Sequence, residues 1–134
     1  MGQENPKQMN PLVLAFLGDA VYELCARCFM VEKKNCPVGE LHQKTVRIVN
    51  AAAQSAAFCQ IEKLLTEEEL SIYKRGRNAN SQSSPKHADI IDYRRATGLE
   101  ALFGYLFLKG EYGRIQELFA VASEMENGRS LVGI

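Results

Sequence analysis

Apolar residues recur at helical spacing along most of the chain, and turn-forming residues punctuate them. Asn10-Pro11 predicts a helix start, with Asn as N-cap and Pro in the first turn. Leu14, Leu17, Val21, Leu24, Cys25 and Cys28 then form a stripe running to about Val31. The run Asn35-Cys36-Pro37-Val38-Gly39 breaks it. A second helix is predicted from about Glu40 to Leu65, its alanines at 51, 52, 53, 56 and 57 admitting a close neighbour. Thr66, with Glu69 three residues on, forms a capping box that opens a short third helix to about Lys74. Asp89 caps a further helix from Ile90 to Lys109 that stops at Gly110, and a last one runs from Gly113 to Glu126. No alternating run supports a strand. The expectation is an all-α fold: one helical domain of five or more helices over residues 10–128, between a flexible N-terminal tail (1–9) and a C-terminal tail (129–134).

Between the third helix and Asp89 the pattern fails. Residues 76–87 (GRNANSQSSPKH) carry almost no apolar side chain, and helix–helix connections of that length are uncommon outside functional loops.

Composition narrows the classes. The 134 residues are 46% hydrophobic and 24% charged, ordinary for one globular domain. Sixteen Lys and Arg balance sixteen Asp and Glu, which excludes a globally basic nucleic-acid coat protein but not a local basic patch. The longest nearly apolar stretch, Leu12 to Tyr22, contains Asp19 and is too short to span a bilayer. No cationic segment precedes a signal-like run, so a cytoplasmic protein with no membrane partner is expected. Of the four cysteines only Cys25 and Cys28 are close, inside a helical stripe and without a second ligand pair; free buried thiols are expected rather than zinc.

Two carboxylates stand out. Asp19 is the only ionisable residue in LVLAFLGDAVY, and Glu100 the only one in ATGLEALFGYLFL. A carboxylate between apolar turns loses solvation and needs a cation, a donor or a proton. On two packed helices such residues form a hard-oxygen site that suits Mg²⁺, with Mn²⁺ as a substitute. The same residues fit a blander pattern, since Asp19, Glu23 and Arg27 fall four apart along one solvated stripe. Gly18 beside Asp19, and Gly98 and Gly104 around Glu100, favour a close approach to the backbone.

Charge is also unevenly placed. Between residues 74 and 95, six cations face two acids, a net +4, so the rest of the neutral chain carries −4. Lys74, Arg75, Arg77, Asn78, Lys86 and Arg94 are the candidate contacts to RNA phosphates, through forked guanidinium donors, ammonium groups and an amide. With little aromatic interleaving, tracking of a duplex backbone is expected over base stacking. His42 and His87 have no sequence support as a general base, and Phe16, Tyr22, Phe103, Tyr105 and Phe107 are expected in the core.

At this point the motifs reach a family. LAFLGDAVYEL (14–24) resembles the signature helix of the ribonuclease III family, centred on Phe-Leu-Gly-Asp. TGLEALFGYLFL (97–108) resembles its second acidic motif, and YKRGRNANSQSSPKHADIIDYR (73–94) the loop of the compact Mini-ribonuclease III branch. The likeness covers about residues 12–118.

The resemblance implies an Mg²⁺-dependent, homodimeric endoribonuclease without an organic cofactor or a separate double-stranded-RNA-binding domain. Its substrate would be duplex-containing RNA, in this branch precursors of large-subunit ribosomal RNA, cut to leave a five-prime phosphate. Asp19 and Glu100 match the family's catalytic metal ligands. Two further acidic positions of the larger enzymes are Ala15 and Thr97 here, so one Mg²⁺ held by Asp19, Glu100 and waters is implied. The same two departures sustain the alternative, a non-catalytic RNA- or ribosome-binding module on the same scaffold.

Overall fold

The computed structural model describes residues 5–33, 36–79 and 89–126. Those residues form six α-helices and no strand: α1 (Pro11–Lys33), α2 (Val38–Val49), α3 (Ala51–Ile61), α4 (Glu67–Asn78), α5 (Ile90–Leu108) and α6 (Tyr112–Glu126). Short 3₁₀ turns occupy Pro6–Gln8 and Glu62–Leu64.

The predicted caps form. The Asn10 side chain accepts from Leu12 N at 2.8 Å. Thr66 and Glu69 close the capping box at 3.1 and 2.9 Å. Asp89 accepts from the backbone of Ile91 and Asp92. Beyond α5, Gly110 takes φ +75°, a conformation that glycine adopts without cost and that ends the helix.

The single helix expected over 40–65 is two helices. Asn50 adopts an extended backbone and serves both ends at once. Its side-chain oxygen accepts from Ala53 N at 2.8 Å, and its amide donates to the carbonyls of Val46 and Arg47. Apolar spacing continues across this corner, so periodicity alone could not reveal it. In the other direction, α4 runs four residues past its predicted end, through Gly76 to Asn78.

α5 is the central helix and packs against α1, α3, α4 and α6. Leu99 and Ala101 to Leu106 are buried, with Tyr22 of α1 meeting Phe103 edge-on at 5.0 Å. On the other side, Phe58 of α3 stacks on Tyr73 of α4 with centroids 3.7 Å apart. Glycines set how closely α5 is approached. A Cβ on Gly104 would lie 3.0 Å from Gly18 N and inside van der Waals contact of Leu14 O. At the α4 crossing, a Cβ on Gly76 would sit 2.7 Å from Ala101 Cβ and 3.0 Å from Gly98 Cα. Side chains longer than hydrogen would wedge both crossings apart.

Two further ties hold the ends. Glu69, buried and serving the capping box, also accepts two hydrogen bonds from Arg114 of α6, each 2.8 Å. Arg75 of α4 donates to the carbonyls of Lys7 and Met9, at 2.8 Å for the latter, which pins the described part of the N-terminal segment.

Several aromatic and thiol expectations need correction. Phe16 is 84% exposed and Phe107 lies at the surface, whereas Tyr22, Phe103 and Tyr105 are buried as expected. The cysteines are free, but Cys28 and Cys59 are exposed and only Cys25 and Cys36 are half-buried. Burial pushes the Cys25 thiol up to about 11, which leaves it unreactive. On α1 both errors share one cause: the helix has apolar residues on two faces, and spacing cannot say which one the core covers.

Candidate active site

α1 and α5 cross at Gly18 and Gly104, and the crossing carries Asp19 and Glu100 to the same place. The two carboxyl groups lie within hydrogen-bonding reach of one another. Asp19 stands on the exposed side of the crossing and Glu100 is half-buried. A third helix contributes as well: Gln54 of α3, only 2% exposed, donates from Nε2 to Glu100 Oε2 at 3.3 Å.

The electrostatics follow from this placement. Burial pushes the Glu100 carboxyl up to about 8, and the adjacent Asp19 charge adds to the effect while the Gln54 donor opposes it. Among the described residues no Lys or Arg forms an ion pair with either acid. The solvated-stripe pattern is real one turn further on, where Arg27 Nε donates to Glu23 at 2.9 Å, but Asp19 belongs to Glu100 instead.

Two adjacent carboxyl groups, partly desolvated and without a protein cation, form a donor set for a hard divalent ion. The residues fit Mg²⁺ or Mn²⁺ on that ground. Among the described residues no group of three or more His, Cys, Asp and Glu gathers there. Ala15 is buried and apolar, and the Thr97 hydroxyl donates to the Tyr93 carbonyl at 3.0 Å, so neither enlarges the set.

The candidate RNA contacts sort into different environments. Lys74, Asn78 and Arg94 are exposed. Arg77 is half-buried, donates to Asn78 Oδ1 at 3.1 Å and lies 5.7 Å from the centre of the Tyr73 ring. Arg77, Arg94 and Thr97 share a small pocket between the end of α4 and the start of α5. Arg94 precedes Glu100 by six residues on α5, about 9 Å along the axis at the helical rise. The described cations thus gather where the end of α4 meets the start of α5, the helix that also carries Glu100. Arg75 is the exception, since two of its nitrogens are engaged by the chain's own carbonyls. Lys86 and His87 lie outside the described residues, and His42 is exposed on α2.

Gln54 was not singled out from the sequence. The available signal was local: it is the one long polar side chain in AAAQSAAF, on a helix whose alanines mark close packing.

Comparisons with known proteins bear on the family and the fold. The Ribonuclease III domain family matches residues 12–111. The chain is 50% identical over 117 residues to a Clostridium tetani protein named Mini-ribonuclease 3, covering 87% of this chain and 78% of the relative. It is 48% identical over 126 residues to the Mini-ribonuclease 3 of Brevibacillus brevis, covering 94% of each. A crystal structure of a Fusobacterium nucleatum protein superposes with a TM-score of 0.79 at 30% identity, over 89% of this chain and 95% of that one.

Proposed function

The chain belongs to the ribonuclease III family, in its Mini-ribonuclease III branch, and from that premise we propose that Asp19 and Glu100 form a Mg²⁺ site that cleaves double-stranded RNA. It is an endoribonuclease, and the alternative of a non-catalytic module is set aside. The observation that carries the finer reading is the meeting, on crossed helices, of two acids that no described Lys or Arg pairs with.

Asp19 and Glu100 would hold the ion, with Mn²⁺ able to replace Mg²⁺. When bound, such an ion supplies positive charge at a phosphate and lowers the pKa of water. The protein's own part is to fix the two acids. The Gly18–Gly104 contact sets their separation and the apolar turns around Glu100 limit water. Lys74, Arg77, Asn78 and Arg94 hold the sugar–phosphate backbone beside them, and Lys86 of the adjoining segment completes the same +4 stretch. An A-form duplex is recognised through its shape, phosphates and ribose hydroxyls, which suits an edge rich in cations and poor in exposed aromatic rings.

The exposed face of α1 supports a homodimer. Val13, Phe16, Leu24 and Val31 are exposed along one side of the helix that also carries Asp19. An uncovered apolar stripe of that length favours a self-complementary contact. Two copies would present two sites to the two strands of one duplex. The proposed natural substrate is duplex-containing precursor of large-subunit ribosomal RNA in the cytoplasm, a setting in keeping with four free thiols. No described helix is long and apolar enough to cross a membrane.

The test is direct. Long duplex RNA incubated with pure protein and Mg²⁺ should fragment, and chelation or Asp19→Asn should stop cleavage while RNA binding persists. Cleavage by Asp19→Asn at the wild-type rate would remove the acidic pair from the mechanism.

A further inference from the structure

Gln54 has an unusual position for a long polar side chain. It lies on the alanine-rich α3, is 2% exposed, and directs its amide at one oxygen of Glu100 from a third helix. Burying an amide is costly unless its hydrogen bonds are met. An alanine or leucine would cover α5 at lower cost. The helix around it is otherwise Ala51, Ala52, Ala53, Ser55, Ala56 and Ala57, so packing does not require an amide there.

What the amide does to Glu100 is geometric. A carboxyl group on a three-bond side chain rotates among several orientations, of which only some suit an ion shared with Asp19. A donor on Oε2 opposes that rotation, satisfies one oxygen and leaves the other available to an ion. Partners behind a ligating carboxylate orient it in this way, and their removal typically lowers metal affinity about 10- to 100-fold.

We propose that Gln54 is a positioning residue of the metal site: by donating to Glu100 Oε2 from α3, it holds the carboxylate turned toward Asp19 for a divalent cation. The inference rests on the reading of Asp19 and Glu100 as the metal-binding pair. It also makes α3 part of the site, so the arrangement is built by three helices rather than two.

The experiment uses the full chain and Mn²⁺ alone, without RNA, titrated by calorimetry into wild type, Gln54→Met, Gln54→Asn and Asp19→Asn. Met keeps the length and removes the donor; Asn keeps an amide one methylene short of Glu100. Both should weaken Mn²⁺ binding about 10- to 100-fold. Cleavage by both should recover as Mn²⁺ is raised, while KM for duplex RNA stays at the wild-type value. Circular dichroism melts identify a variant that has lost the fold, and the other variant then decides. Wild-type Mn²⁺ affinity in either folded variant, alongside lost affinity in Asp19→Asn, overturns the role of Gln54 and leaves the acidic pair standing. No Mn²⁺ binding by wild type, or unchanged binding by Asp19→Asn, removes the acidic pair and the role of Gln54 with it.

Discussion

Gly18 and Gly104 meet backbone to backbone, with so little room that a methyl group on either would penetrate the other helix. Because Asp19 follows Gly18 and Glu100 lies one turn before Gly104, this contact determines how far apart the two acids stand. A stability element and the spacing of the site are thus one feature.

Gly18→Ala should therefore damage both. Its Cβ would meet the Glu100 carbonyl and come 2.8 Å from Gly104 N, so α1 and α5 must separate. Overpacking of this kind costs about 1–3 kcal/mol. Melting should show that loss, and cleavage measured well below the melting point should fall further than the folded fraction explains. A variant that melts lower yet cuts at the wild-type rate would separate the spacing of the acids from the helix contact.

Glu100→Gln should stabilise the metal-free protein, and increasingly so at higher pH. Folding raises the Glu100 carboxyl from 4.5 to about 8, so between those values the folded chain keeps a proton that the unfolded chain has released. That contribution to stability is complete below about pH 4.5 and is lost as pH rises through about 8. Glutamine does not titrate. In chelator, the two proteins should melt alike near pH 5, and the variant should melt about 4 °C or more higher at pH 9. Saturating Mg²⁺ should narrow the gap by stabilising wild type alone. Parallel melting curves from pH 5 to 9 would show that the pair carries no such strain.

Much of this was legible in the residues, for identifiable reasons. Caps announce themselves locally, and Asn10, Thr66–Glu69, Asp89 and Gly110 all act where the sequence places them. Asp19 and Glu100 were conspicuous because a carboxylate in an apolar run is costly, and Gly18 and Gly104 because a helix glycine is. What remained hidden depends on three dimensions. Asn50 turns a corner without interrupting the apolar spacing. Phe16 and Tyr22 have similar sequence surroundings but opposite faces. Gln54 gains its meaning only when α3 packs across α5. Arg75, set among cations, resembles an RNA contact until the carbonyls of Lys7 and Met9 are seen to occupy it.

That last distinction is testable. Arg75→Ala removes two charge-assisted hydrogen bonds to the N-terminal segment and should cost about 1–3 kcal/mol in stability, with little effect on RNA affinity per folded molecule. Lys74→Gln and Arg94→Gln alter exposed side chains and should leave melting unchanged. Each should instead weaken duplex binding and lower the slope of log Kd against log salt by about one for each phosphate that is no longer neutralised. If Arg75→Ala reduces the salt slope as much as the other two, its guanidinium leaves the carbonyls to grip RNA.

Phe16→Asp should yield a folded monomer that keeps its metal. Phe16 is 84% exposed and touches no core, so the substitution removes no internal packing, and a charge on the apolar stripe opposes association with a second copy. Asp19, Glu100 and Gln54 all come from one chain, so Mn²⁺ affinity should stay near wild type. In the proposed dimer, duplex RNA would meet two faces at once, and a monomer would lose the gain in effective concentration that the second face supplies. Affinity for long duplex should therefore drop by about 100-fold or more, and the residual product should be nicked on one strand rather than cut through both. Sedimentation, calorimetry and native gels read the three outcomes separately. A variant that still sediments as a dimer would assign the interface to another surface, and one that is monomeric yet cuts both strands together would show that a single copy serves both.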